Sequence, residues 1–130
     1  VGDDSAGEGA GAKAALMQLP VGTKIWLALG CTDMRRGMAG LALQIQETVK
    51  LDPHSGHVFV FRGKRGDLIK AIWHDGQGAC LFSKRLEKGK FQWPNASEGA
   101  HQISPAQLSM LLEALDWRAP RPTWRPEVAG

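Results

Sequence analysis

The stretch GHVFVFRGKRGDLIKAIWHDGQGACLFSKRLEKGKFQWP, residues 56–94, decides the fold. It alternates apolar runs at His57–Phe61, Leu68–Trp73 and Ala79–Phe82 with clusters of lysine and arginine. Runs of this length, rich in β-branched and aromatic residues and bounded by glycine, predict strands at about 57–61, 68–74 and 79–86. Arg62-Gly63-Lys64-Arg65-Gly66 links the first two and Asp75-Gly76-Gln77-Gly78 the next two. Both links are short and glycine-rich, as antiparallel hairpins require. Phe91-Gln92-Trp93 is expected to form a fourth short strand beyond the Glu87–Lys90 turn.

Outward from this block, Ile25–Leu29 is an apolar run suited to a buried strand. Thr32 or Asp33 is expected to cap the helix that follows, because their side-chain oxygens accept from free backbone N–H groups. Met38, Leu41, Ala42, Ile45 and Val49 recur at helical spacing, and Leu51-Asp52-Pro53 ends that helix. On the other side, Ser104-Pro105-Ala106-Gln107 is a helix start with Ser as N-cap, Pro at the first helical position and Gln at the third. Leu108, Leu111, Leu112 and Leu115 form its apolar stripe. The fold class is α+β: a strand and helix, a three- to four-stranded antiparallel β-meander, and a packing C-terminal helix. Both helix stripes are expected on one sheet face, with the basic residues on the exposed face and hairpin tips. Residues 17–117 read as a single domain. Residues 1–16, Gly/Ala-rich and acidic, read as a disordered leader with the natural start near Met17, and residues 118–130 as a basic, proline-rich extended tail.

Charge points to the partner. Residues 56–94 hold Arg62, Lys64, Arg65, Lys70, Lys84, Arg85, Lys88 and Lys90, half of the 16 lysines and arginines, against Asp67, Asp75 and Glu87. That is a surplus of five positive charges in a chain whose total is +3. A sheet carrying such a surplus favours a polyanion. The candidate phosphate contacts are Arg35, Arg36, Arg62, Lys64, Arg65, Lys84, Arg85, Lys88 and Lys90. Arg62, Lys64 and Arg65 surround two glycines that permit close backbone approach. Arg35 and Arg36 precede a helix, where an anion or Asp33 must offset the cost of cations. For the 62–65 and 84–90 clusters, ordinary solvated surface is the competing reading; for Arg35 and Arg36 it is a salt-bridged cap with Asp33. Trp73 and Trp117 continue apolar stripes and read as core. Trp93 and Trp124 are the candidates for partner contact.

Other chemistries find little material. Cys31 and Cys80 are too few for zinc and read as reduced thiols in or near the core. His54, His57, His74 and His101, with Asp52, Asp67 and Asp75, are the only groups for a metal nuclease. The adjacent His74 and Asp75 point to opposite faces of a strand, and Asp75 suits a turn with Gly76. There is no Gly-x-Ser-x-Gly elbow and no phosphate-loop spacing. No cofactor, small-molecule substrate or enzymatic activity is expected. No apolar run approaches the roughly 18–20 residues that span a bilayer, and Asp3, Asp4 and Glu8 do not fit a signal peptide. A cytoplasmic protein without membrane contact is expected.

Several motifs in order carry a family resemblance: LPVGTKIWLA at 19–28, TDMRRG at 32–37, SGHVFVFRGKRGD at 55–67, WHDGQGACLFSKRLEKGKFQWP at 73–94 and ISPAQLSMLLEALDW at 103–117. Together they resemble the small accessory protein encoded beside the transposase in bacterial insertion sequences of family sixty-six. The resemblance implies a helper in DNA transposition, with element DNA and the transposase as partners, and brings no catalytic motif. The alternatives are a protein–protein adaptor for the transposase without DNA binding and, more remotely, a metal-dependent nuclease.

Overall fold

A computed structural model describes residues 9–118. In chain order these form α1 (Gly9–Met17), β1 (Ile25–Ala28), α2 (Met38–Gln44, continued by a π-helical turn Ile45–Val49), β2 (Val58–Arg62), β3 (Leu68–His74), β4 (Ala79–Arg85), β5 (Ala100–Ile103) and α3 (Pro105–Leu112). The five strands make one sheet in the order β4-β3-β2-β1-β5. The α+β class and the two antiparallel hairpins, β2–β3 and β3–β4, are as the sequence predicts. In the second hairpin the Asp75 carboxylate accepts from the backbone N–H groups of Gln77 and Gly78, and Gly76 takes the positive φ of +97° that the turn needs.

The sheet departs from a plain meander in two ways. β1 pairs with β2 in parallel, with Ile25 opposite Val58 and Leu27 opposite Val60. A parallel pair needs a crossover, and α2 supplies it. The extra strand is Ala100–Ile103, antiparallel to β1, and Phe91–Trp93 is not a strand. Phe91 and Trp93 instead enter the core from irregular backbone, with Phe91 N–H donating to the Gly66 carbonyl. β5 gave no clear pattern because it is a short edge strand whose His101 and Gln102 are exposed.

The helices lie on opposite faces, not on one. Side chains alternate across a strand. Ile25, Leu27, Val58, Val60, Ile69, Ala71, Trp73 and Phe82 therefore meet Leu108, Leu111 and Leu112 of α3 and Leu16 of α1. The intervening Ala28, Phe59, Phe61, Ile72 and Leu81 meet Leu41 and Ile45 of α2. Burial on both faces explains why VFVF in β2 is continuously apolar. It also leaves no open sheet face for the basic residues, which, apart from Lys70 buried within β3, lie in the connecting loops and towards strand ends.

Three local expectations change. Residues 9–17 are helical rather than part of a disordered leader. Nine residues alone make a marginal helix, but Leu16 is 2% exposed and Lys13 pairs with Glu113 at 3.0 Å. Burying a leucine contributes about 2 kcal/mol, enough to matter for so short an element. Residues 1–8 of the expected leader and 119–130 of the expected tail lie outside the described residues. At α2 the N-cap is Gly37 with no side-chain cap, so neither Thr32 nor Asp33 fills that role. In α3 the Ser104–Gln107 capping box forms as read, but Leu115 is 53% exposed. Ala114 takes a left-handed φ of +60° and Leu115 N–H reaches back to the Met110 carbonyl, which ends the helix before the stripe is complete. Trp117 still reaches the core and donates to the Gln92 carbonyl at 2.8 Å.

Candidate nucleic-acid interface

Pairing register places the C-terminal ends of β1, β2 and β4 and the N-terminal ends of β3 and β5 at one end of the sheet. The loops at this end bring together Arg35, Arg36, Arg62, Lys64, Arg65, Arg85, Lys88 and Lys90, which lie far apart in sequence. The acidic residues there are Asp33, Asp67, Glu87 and Glu98. Thr32 N–H donates to the Arg62 carbonyl and joins the first loop to the hairpin. Phe91 N–H does the same for the 86–95 segment at Gly66.

These cations are not equivalent. Lys64, Arg65, Lys88 and Lys90 are exposed and form no ion pair or side-chain hydrogen bond among the described residues. Arg35 is exposed but chelated: its Nε and Nη2 donate to the two oxygens of Asp33 at 3.0 and 2.9 Å. That hydrogen-bonded pair, with the Arg35 backbone N–H, holds the Asp33 carboxyl down at about 2 and raises the Arg35 guanidinium. The 33–36 segment is thus a salt-bridged turn. Arg36 donates to Gln44 Oε1, while its carbonyl accepts from the buried Lys70. Arg85 pairs with Asp67 at 3.3 Å.

Two predicted contacts turn inward. Arg62 is half-buried, donates to the Phe91 carbonyl at 3.2 Å and lies 5.7 Å from the Trp93 ring centre. Lys84 runs beside Phe82 and donates to the Leu112 carbonyl at 2.6 Å, at the C-terminus of α3 where a cation is favoured. Both side chains are half-buried and already engaged by protein partners. Trp93 is 7% exposed and faces the core, so it is not available to a partner as placed. Trp124 lies outside the described residues.

A cleft of about 250 Å³ opens between the 32–34 loop, the β2–β3 hairpin and Arg85. Its apolar floor is Met34 and Leu68, and Asp33, Asp67, Lys64 and Arg65 stand around it. Gly63 makes the floor possible: a Cβ there would lie 2.5 Å from Met34 Cγ. Sequence reasoning noted glycines beside cations but missed Met34 and Leu68. The usable signal was a methionine inside TDMRRG, a polar loop motif with no helix or strand period to account for it.

Among the described residues, no group of three or more His, Cys, Asp and Glu is arranged to hold a metal. Asp75 is occupied by its turn and by the Cys80 thiol at 3.5 Å, contacts that lower its carboxyl and, with burial, raise the thiol. Cys31 is exposed rather than in the core, and Cys80 is half-buried. No helix among the described residues is long and apolar enough to cross a membrane.

Comparison with known proteins gives a consistent result. Residues 23–122 match the family described as IS66 Orf2 like protein. The uncharacterized protein y4hO of Sinorhizobium fredii (strain NBRC 101917 / NGR234) is 57% identical over 114 residues, covering 86% of this chain and 99% of that protein. The uncharacterized protein y4jC of the same strain is 43% identical over 96 residues, covering 74% of this chain and 82% of that protein. No significant match is found among solved structures.

Proposed function

The chain belongs to the IS66 Orf2-like family, a family of insertion-sequence accessory proteins, and from that premise we propose that it is a non-catalytic helper of transposition that contacts element DNA. The contact runs through phosphates at the basic end of the sheet. The carrying observation is the gathering of Lys64, Arg65, Lys88 and Lys90 at that end, exposed and without an ion pair among the described residues. Free cations on adjoining loops neutralise phosphates and release counterions without reading sequence. The ion-paired Arg35 and Arg85 flank them; the Arg35–Asp33 pair stands in solvent, where such pairs hold weakly and a phosphate can replace the carboxylate, whereas Asp67 under Arg85 is only 23% exposed. The transposase encoded beside it is the second partner in this reading, with the protein acting in the cytoplasm.

The test is a gel-shift titration of the 130-residue chain with duplex from the element's terminal inverted repeats and with a scrambled duplex, at two salt concentrations. Binding to both that weakens steeply with salt is the expected result. Absence of binding at low salt would overturn DNA contact and favour a protein–protein adaptor.

A further inference from the structure

We propose that the cleft between the 32–34 loop and the β2–β3 hairpin receives one unpaired base of a DNA strand, whose phosphates lie on Lys64 and Arg65. This rests on the DNA-contact reading and deepens it, because a surface that met only duplex phosphates would need cations and nothing more. The cleft has what phosphate contact does not use. Its floor is apolar, formed by the half-buried Met34 and Leu68. Its volume, about 250 Å³, falls just below the roughly 300–1,000 Å³ of sites for drug-sized ligands, which suits a single ring system. The Met34 thioether is polarizable and presents a flat contact to an aromatic ring.

The carboxylates give the cleft a preference. Asp33 and Asp67 each hold one arginine, but a carboxylate has about four acceptor positions. Inside the cleft they repel a phosphate and accept from an exocyclic amine. Cytosine offers N4–H₂, whereas thymine offers the O4 acceptor and a methyl group. Asp33 is ionised at physiological pH, as an ordinary carboxyl already is, and the Arg35 guanidinium lowers it further to about 2. The ligand is therefore single-stranded DNA with an amino-bearing base, seated with its ring on Met34 and its backbone along the hairpin tip.

Fluorescence anisotropy with labelled oligo(dC), oligo(dT) and a duplex of equal length, at one salt concentration, tests this. Oligo(dC) is expected to bind about tenfold more tightly than the other two, over oligo(dT) through the amine contact and over the duplex through the stacked base as well. Met34→Ala should weaken both single-stranded probes and not the duplex, because stacking does not distinguish bases, and Met34→Leu, which keeps the apolar floor, should not. The margin of oligo(dC) over oligo(dT) rests on the carboxylates and should shrink in Asp33→Ala. Equal affinity of the wild-type chain for all three probes would overturn the base site and leave the phosphate reading standing. So would a Met34→Ala variant that weakens all three alike, since the residue would then only support the hairpin. Binding to none of the probes would overturn both readings.

Discussion

The two ends of the sheet carry opposite kinds of surface. At one end Lys64, Arg65, Lys88 and Lys90 project from loops with no ion pair among the described residues, and Arg35 and Arg85 are each held by one carboxylate, Asp33 and Asp67. At the other, Lys24 and Lys50 face Glu47, Asp52 and Asp75, so charge nearly cancels. Polar groups there are used up by backbone donors: His57 Nδ1 accepts from Lys24 N–H, 33 positions away, and in local turns His74 Nδ1 accepts from Gly76 N–H and Asp52 from His54 N–H. That end also holds an apolar hollow of about 500 Å³ between Pro20-Val21 and His57, Trp73 and His74. The contrast teaches that the positive surplus does not spread over the protein. The topology collects it where five strand ends meet. A polyanion would sense one pole of the molecule, since screening over about 8–10 Å hides the rest at ordinary salt.

Three experiments break or sharpen this contrast. The largest effect is expected for Arg62→Ala, which separates a cation of the fold from the cations of the surface. It removes a charged donor from the Phe91 carbonyl and the contact with Trp93. The buried Arg62 Nε, without a partner among the described residues, offsets part of the loss. A destabilisation of about 2 kcal/mol is expected by urea denaturation, with the salt dependence of DNA binding unchanged. A reduced salt slope would put Arg62 on the DNA after all.

Next is the pair Lys64→Ala and Arg65→Ala. The slope of log affinity against log salt should shrink by about 1.8, at about 0.9 per phosphate contact. That corresponds to about tenfold less affinity lost over a fourfold rise in salt. Lys24→Ala with Lys50→Ala, at the opposite end, should leave the slope as it was. Equal effects from the two double variants would erase the distinction between the ends.

The smallest effect concerns acid stability. Asp33 has a folded-state carboxyl at about 2 against an ordinary 3.8. A depressed carboxyl stabilises the fold at pH values above its unfolded value, and that contribution is lost as pH falls from about 4 towards 2. Asp33→Asn should flatten this part of the acid limb in denaturation measured from pH 2 to 5. Asp75, Glu113 and Asp116 are lowered as well and keep the remainder of the limb in place. An unchanged limb in Asp33→Asn would mean that the Arg35 chelate does not persist in solution.

What was legible in the chain was local. The glycine links of both hairpins, the Ser104–Gln107 capping box, the apolar stripe of α2 and the core roles of Trp73 and Trp117 all follow from residues a few positions apart. Misreadings arose where distant segments decide. A continuous VFVF run told of burial but not that α2 would cover one face and α1 with α3 the other. An Ala-rich segment with a single well-placed Leu16 has no helical period of its own until α3 gives it a surface. The edge strand β5 is recognisable only beside β1.

The same division holds for the candidate site. The sequence by itself determined the α+β class, the basic surplus of residues 56–94 and the family, because composition, hairpin chemistry and motif order require no knowledge of neighbours in space. Only the tertiary structure decided which cations remain free. Arg62 finds Phe91 and Trp93, Lys84 finds the end of α3, and Lys64 and Arg65 find no such partner among the described residues, although all four belong to the 56–94 block. A charge is spent or available according to the partners that folding brings beside it, and those partners come from residues 28 to 31 positions away for Arg62 and Lys84.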